Sequence, residues 1–179
     1  MAHGTLLEQP GDLGPRRGVR ATLRRYALLP LRVFLGVTFV YAGLDKLTDP
    51  TFLSADGPGS LGELLDAVHS TAGAPFLVDL AQNSPAGFGY ALAIGELLVG
   101  LGTLLGLWAR LAATGGALIS LTLWLTVSWS STPYYYGNDL AYLMAWLPLV
   151  LAGAEHFSVD RALHQRRRRG RDMGLGAGD

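Results

Sequence analysis

Apolar residues run almost without interruption through four windows of the chain, roughly 27–48, 86–108, 111–130 and 138–157. A helix that crosses a bilayer needs roughly 20 mostly apolar residues at about 1.5 Å of rise each, and each window is long enough. The middle two are the clearest. Leu80 to Ala109 holds Glu96 as its single charge, and Leu111 to Asn138 holds none. The outer two carry charges near their ends, so their limits are less sharp. A soluble bundle with buried helices is the competing reading, but a soluble helix keeps a polar face. Ala112–Trp129 offers only Thr and Ser for one. The pattern predicts an all-α membrane protein, a bundle of four transmembrane helices.

The first connection, about 49–85, has a pattern of its own. Ser60-Leu61-Gly62-Glu63 has the spacing of a capping box, and Leu61, Leu64, Leu65 and Val68 recur on one helical face. These residues predict a short amphipathic helix on the outer surface, ending near Gly73 or Pro75, which lies in the interface or covers the mouth of the bundle. His69 belongs to it, and a lone surface histidine is more often solvated than functional.

Composition adds the environment. Of 179 residues 50% are hydrophobic and 16% charged, against roughly 25% charged in a soluble domain. Acidic and basic residues balance at 14 each, yet they are segregated. Five arginines fall in 16–25 and six in 161–171, whereas Arg and Lys are absent between Lys46 and Arg110. The chain divides into a basic tail at 1–25, a membrane domain at 26–160 and an Arg/Gly-rich tail at 161–179, both tails expected to be disordered. The C-terminal arginines suit anionic lipid head groups. Residues 1–25 do not resemble a cleaved signal peptide, because Arg and Pro precede an apolar stretch too long for one.

Arg110 lies in the second connection, while the first carries Asp49, Asp56, Glu63, Asp66 and Asp79 and the third, Ser130 to Gly137, is uncharged. With four crossings, all three cationic regions fall on one side, and both termini are cytoplasmic. A nucleic-acid partner is excluded, since the basic residues crowd the tails instead of a folded face. With no cysteine, disulfides, thiolate-held iron–sulfur clusters and cysteine zinc sites are excluded as well.

Ionisable groups inside a span cost about 2.5 kcal/mol or more at its centre, so they usually face the bundle and mark a site. Arg32 and Lys46 are 14 residues apart in the first window, which nearly returns to the same helical face. Gly36, Phe39 and Gly43 share that face, a seam where a neighbouring helix can approach closely; Asp45 points the other way. Glu96 sits near mid-depth in the second window, with Gly89, Gly100 and Thr103 on its face. Asp139 opens the fourth, above Tyr142, Trp146 and Gly153, and Pro148 is expected to kink that helix. Lys46 and Asp139 belong near the outer face, Arg32 toward the inner face and Glu96 between them. Each has a plainer reading. Arg32 can snorkel to head groups, and Lys46 and Asp139 can be interfacial helix ends. Glu96 is too deep to escape, though an ion pair that only holds helices together would also explain it.

The third connection, from Trp129 to Asp139, is dense in aromatics. An interfacial belt is one account. A flat, polar-rimmed entrance for an aromatic ligand is the other, with Trp129 and Tyr136 as candidate contacts.

At these residues the chain resembles the DoxX family of small bacterial four-helix membrane proteins, and within it the DoxD type, the small subunit of thiosulfate:quinone oxidoreductase. The matching pieces are Arg32-x3-Gly36-x6-Gly43-x2-Lys46-Leu47, Gly95-Glu96-Leu97-x2-Gly100, Leu105-Gly106-x3-Arg110 and Pro133-Tyr-Tyr-Tyr-Gly137-x-Asp139. They cover about 26–160. The resemblance implies a bacterial plasma-membrane protein linked to quinone redox chemistry, with a DoxA-like second subunit or a soluble redox enzyme as partner. Self-association stays open.

The residue inventory holds no redox centre of its own. Of His3, His69, His156 and His164 only His156 lies near a span, too few for a bis-histidine haem. The helix-two glycines are not in a dinucleotide-binding strand-to-helix setting. No metal site is expected. Three functions follow. The first is a subunit of a quinone-linked system, thiosulfate oxidation being the model reaction. There Glu96 is a candidate proton donor, and Arg32, Lys46, Trp129, Tyr136 and Asp139 are candidate ligand contacts. The second is a non-catalytic membrane organiser for redox or stress-response enzymes. The third, a transporter, needs more body than four helices provide unless the protein oligomerises.

Overall fold

The computed structural model describes residues 26–54 and 56–152. The expectations for the two tails, for Gly153 and for the end of the fourth window lie outside those residues. Among the described residues the chain is all-helical. The helices are α1 (Leu29–Thr48), α2 (Leu61–His69), α3 (Pro75–Gln82), α4 (Pro85–Leu105), α5 (Ala109–Thr126) and α6 (Asn138–Ala152), with a 3-10 turn at Tyr134–Tyr136 before α6. Prolines stand in the first turns of α1, α3 and α4, where the missing N–H has no intrahelical partner to lose.

Of the four expected spans, length and composition alone bear out two among the described residues. Two helices, α4 with 21 residues and α5 with 18, are long and apolar enough to cross a membrane. Helix α1 has 20 residues but carries Arg32, Asp45 and Lys46. Helix α6 is described over 15 residues, about 22 Å at 1.5 Å per residue, up to the last described residue, Ala152. It runs continuously through Pro148. The four nonetheless pack into one bundle: α1 lies along α4, α4 against α5, α5 along α6, and α6 returns to α1. Gly36 faces Leu104 while Gly43 faces Ala93, Gly102 faces Ala112 while Gly95 faces Ile119, and Arg110 meets Leu151 while Ser128 meets Asp139, so successive long helices run antiparallel in an up-down-up-down arrangement.

The glycine seam does bring two backbones together. Arg32, Gly36, Phe39 and Gly43 are buried on one face of α1, and Asp45 is exposed on another. A Cβ on Gly43 would stand 2.6 Å from the Ala93 carbonyl oxygen and 2.8 Å from the Leu97 nitrogen. One on Gly100 would stand 2.7 Å from the Val40 nitrogen. Only glycine permits this contact of α1 with α4. Across the bundle, Gly116 of α5 makes room for the fully buried indole of Trp146, which meets Phe39 edge-on at 4.9 Å between centroids. That pair anchors a core completed by Leu35, Val99, Ala113 and Leu149.

The first connection holds two helices where one was expected. Ser60 caps α2, its hydroxyl accepting from the Glu63 N–H at 3.1 Å. The Glu63 carboxylate reaches back to the Gly59 N–H at 2.7 Å, one residue beyond the usual capping-box partner. Helix α2 ends at His69, and Pro75 begins α3 instead of stopping the chain. Leu61 and Leu65 of α2 bury against Val78 and Ala81 of α3, whereas Leu64 is exposed. His69 is not simply solvated: its Nε2 meets Asp79 Oδ1 of α3 at 2.7 Å, and Gln82 donates to Asp66 at 2.7 Å. The Gly73 and Ala74 N–H groups donate to the Leu125 carbonyl, tying this helical hairpin to the end of α5.

Ser60→Ala should cost about 1 kcal/mol locally, the usual value of an N-cap. Amide hydrogen exchange should rise in the first turn of α2 and stay unchanged in α4 and α5; a uniform rise would mean the cap governs the whole fold.

Candidate functional site

One end of the bundle gathers the C-termini of α1 and α5 and the N-termini of α4 and α6, beneath the α2–α3 hairpin. Lys46 occupies the last turn of α1 and Glu96 the middle of α4. The Gly43 contact brings these helices close enough for the Lys46 ammonium to meet both carboxylate oxygens, at 3.1 Å to Oε1 and 2.9 Å to Oε2. The pair is asymmetrically buried: the lysine side chain is 22% exposed and the glutamate 4%. The ammonium also stands 6.0 Å from the centroid of Phe52, at the outer limit of a cation–π contact.

Asp139 opens α6 in the same region. Ser128, just past the end of α5, donates its hydroxyl to Asp139 Oδ2, which fixes the carboxyl orientation. Asp139 is close enough to Lys46 and Glu96 to interact with both electrostatically. The end of the bundle thus joins one ammonium and two carboxyl groups contributed by three helices.

Beside this group lies a cavity of about 190 Å³. Lys46 and Asp139 form its polar end. Phe52, Leu61, Leu65, Phe88, Leu92 and Leu123 supply most of its apolar wall, and Thr122 and Thr126 border it from α5. The Thr126 hydroxyl donates to the Thr122 carbonyl at 2.8 Å, so it leaves little unmet polarity in the wall. Such a space suits a small, mostly apolar ring with a polar substituent at one edge. The polar end offers an ammonium donor and a carboxyl group that can exchange a hydrogen bond or a proton. No group of three His, Asp or Glu side chains is placed to hold a metal ion among the described residues.

The other expected contacts lie elsewhere. Arg32 is at the opposite end of α1, about 21 Å from Lys46 at 1.5 Å per residue. Its Nε donates to the Thr103 carbonyl at 2.8 Å and its NH2 group to that of Leu104 at 2.7 Å. These are last-turn carbonyls of α4, where helical donors run out; that of Thr103 also accepts from the Gly106 N–H at 3.3 Å. Gly106 follows in the left-handed conformation, φ +64°, as helix ends favour. Arg110 makes a similar contact at this end, with the Leu151 carbonyl at 3.2 Å. Glu96 therefore joins Lys46 and not Arg32.

Trp129 and Tyr136 are absent from the cavity wall. The Trp129 ring packs against Gly73 and Trp124, 5.1 Å between centroids. Tyr136 is exposed and meets Tyr135 edge-on.

Sequence reasoning missed Ser128, the hairpin residues of the wall and the Thr122–Thr126 stripe. The stripe had a signal, since Thr and Ser were the sole polar residues of that window; the others depended on the unexpected course of 61–82.

Neither the curated proteins nor the solved structures compared with this chain match it. The DoxX family profile matches residues 27–129, which takes in α1 to α5, the glycine seam and the Lys46–Glu96 pair. By that match, over more than half its length, the chain belongs to the DoxX family, a family of membrane proteins.

Proposed function

We propose that this chain is a four-span membrane subunit of a quinone-linked redox system, and that the cavity beside Lys46 and Asp139 receives a quinone ring. Four crossings are supported by the outward faces of the two shorter or more charged helices. Val33, Phe34, Val37, Tyr41 and Leu44 of α1 and Met144, Leu147 and Leu151 of α6 are all exposed apolar groups. Both arginines at the end opposite the cavity favour a cytoplasmic side there, with both termini.

The observation that carries the ligand reading is the cavity itself, apolar along its wall and charged at one end. An apolar cavity of about 150 Å³ holds a benzene ring, so a single substituted ring fits and a long tail would have to lie outside. A bound quinone would supply two-electron chemistry, with electrons from a partner subunit. Asp139 lines the cavity and is the side chain placed to exchange a proton with a ring oxygen. Lys46 would hold a second hydrogen bond to that oxygen. Glu96 stands behind Lys46, where it balances the ammonium and can replenish protons.

The test is direct binding of decyl-ubiquinone to the purified chain in nanodiscs, followed by tryptophan quenching. Saturable binding is expected. Asp139→Ala should weaken it about tenfold, the size of one lost charge-assisted hydrogen bond, and Tyr136→Phe should leave it unchanged. Absence of saturable binding, together with co-isolation of soluble redox enzymes, would replace this reading with that of a membrane organiser.

A further inference from the structure

Helix α3 turns little polarity to water: Asp79 is its one strongly exposed polar side chain, at 62%. Leu77 lines the cavity, and Val78 and Ala81 are buried against α2. On another side Phe76 and Leu80, one turn apart, are 68% and 63% exposed. Its two polar side chains bond to α2, Asp79 to His69 and Gln82 to Asp66. An apolar ridge flanked by a tethered carboxylate is the pattern of a helix lying at an interface, apolar groups toward lipid and the polar one at head-group level.

Two connections fix where it sits. Asn83 and Ser84 alone separate α3 from the first turn of α4, so α3 lies at the depth where a span leaves the hydrocarbon. At its other end Gly73 packs on the Trp129 ring and bonds to the end of α5. The exposed rings of Trp129 and Tyr134 to Tyr136 are near the same end of the bundle, and such rings favour head-group depth.

We propose that α3 lies in the head-group zone, with Phe76 and Leu80 among the outer ends of the acyl chains, and that the cavity behind it is supplied from the lipid phase and not from water. The ligand class is then a ring carrying an apolar chain, dissolved in the membrane; this part rests on the ligand reading above, whereas the placement of α3 does not.

The absence of cysteine permits single spin labels in the full-length chain. Phe76→Cys, Leu80→Cys and Glu63→Cys, labelled and reconstituted into phosphatidylcholine vesicles, would be compared by collision with oxygen and with a water-soluble nickel chelate. Labels at 76 and 80 should favour oxygen severalfold over the label at 63, which is on the exposed polar side of α2. Equal access of the chelate at all three positions overturns the placement. So does protection of 76 and 80 from both reagents, which would mean that protein covers the ridge. Phe76→Asp combined with Leu80→Asp should slow capture of decyl-ubiquinone from donor vesicles severalfold with unchanged final occupancy; an unchanged rate overturns the lipid route. If the native chain takes up no decyl-ubiquinone while labels at 76 and 80 remain in lipid, the quinone supply is refuted and the membrane placement is supported.

Discussion

Lys46→Met is expected to destabilise the folded protein by about 3–5 kcal/mol, the cost of removing one member of a buried ion pair. The loss comes less from the missing attraction than from the Glu96 carboxylate, 4% exposed, left in an apolar setting without its counter-ion. Glu96→Leu should cost less. Lys46 stands in the last turn of α1 with its side chain 22% exposed, and it can extend toward the outer surface. Joining the two substitutions should recover most of the stability, because a well-packed apolar pair often replaces a buried ion pair without loss. Unfolding by SDS titration in mixed micelles, followed by circular dichroism, measures all three variants. Equal losses for the two single variants and an additive double variant would show that the side chains do not act as a pair.

Gly43→Ala should also be damaging although it adds one methyl group. The atoms in its way are the Ala93 carbonyl oxygen and the Leu97 nitrogen, backbone groups that cannot rotate aside as a side chain could. Helix α1 must therefore move away from α4 at the turn just before Lys46 and beside Glu96. Overpacking of this kind costs about 1–3 kcal/mol, occasionally more, and here it also lengthens the Lys46–Glu96 contact. Spin labels on the exposed positions Tyr41 of α1 and Leu98 of α4 offer a readout that leaves the seam itself untouched. The distance between them, measured by electron–electron dipolar coupling, should shift when Gly43→Ala is added; an unchanged distance and stability would show that the seam has slack.

These two expectations show what could be read in advance. The 3.6-residue repeat placed Gly36, Phe39, Gly43 and Lys46 on one face and Glu96 with Gly89 and Gly100 on another, because helical geometry alone sets which residues of a segment share a side. The partners were less legible. Lys46 had Glu96 and Asp139 as candidate neighbours, and the choice depended on how far α1 slides along α4, which the contact of Gly43 with Ala93 and Leu97 decides. Arg32 was expected to share the same interior and instead caps α4, as its depth follows from the register of two helices.

The sequence by itself determined the helical class, the N-cap at Ser60, the glycine face of α1 with Arg32 and Lys46 on it, and the outward side of Asp45. Those depend on local patterns of apolar, small and capping residues. Only the tertiary structure decided that α3 exists beyond Pro75, that His69 meets Asp79, that Ser128 orients Asp139 and that Trp129 and Tyr136 stand away from the cavity. These depend on contacts between segments far apart in the chain, which a one-dimensional pattern does not encode.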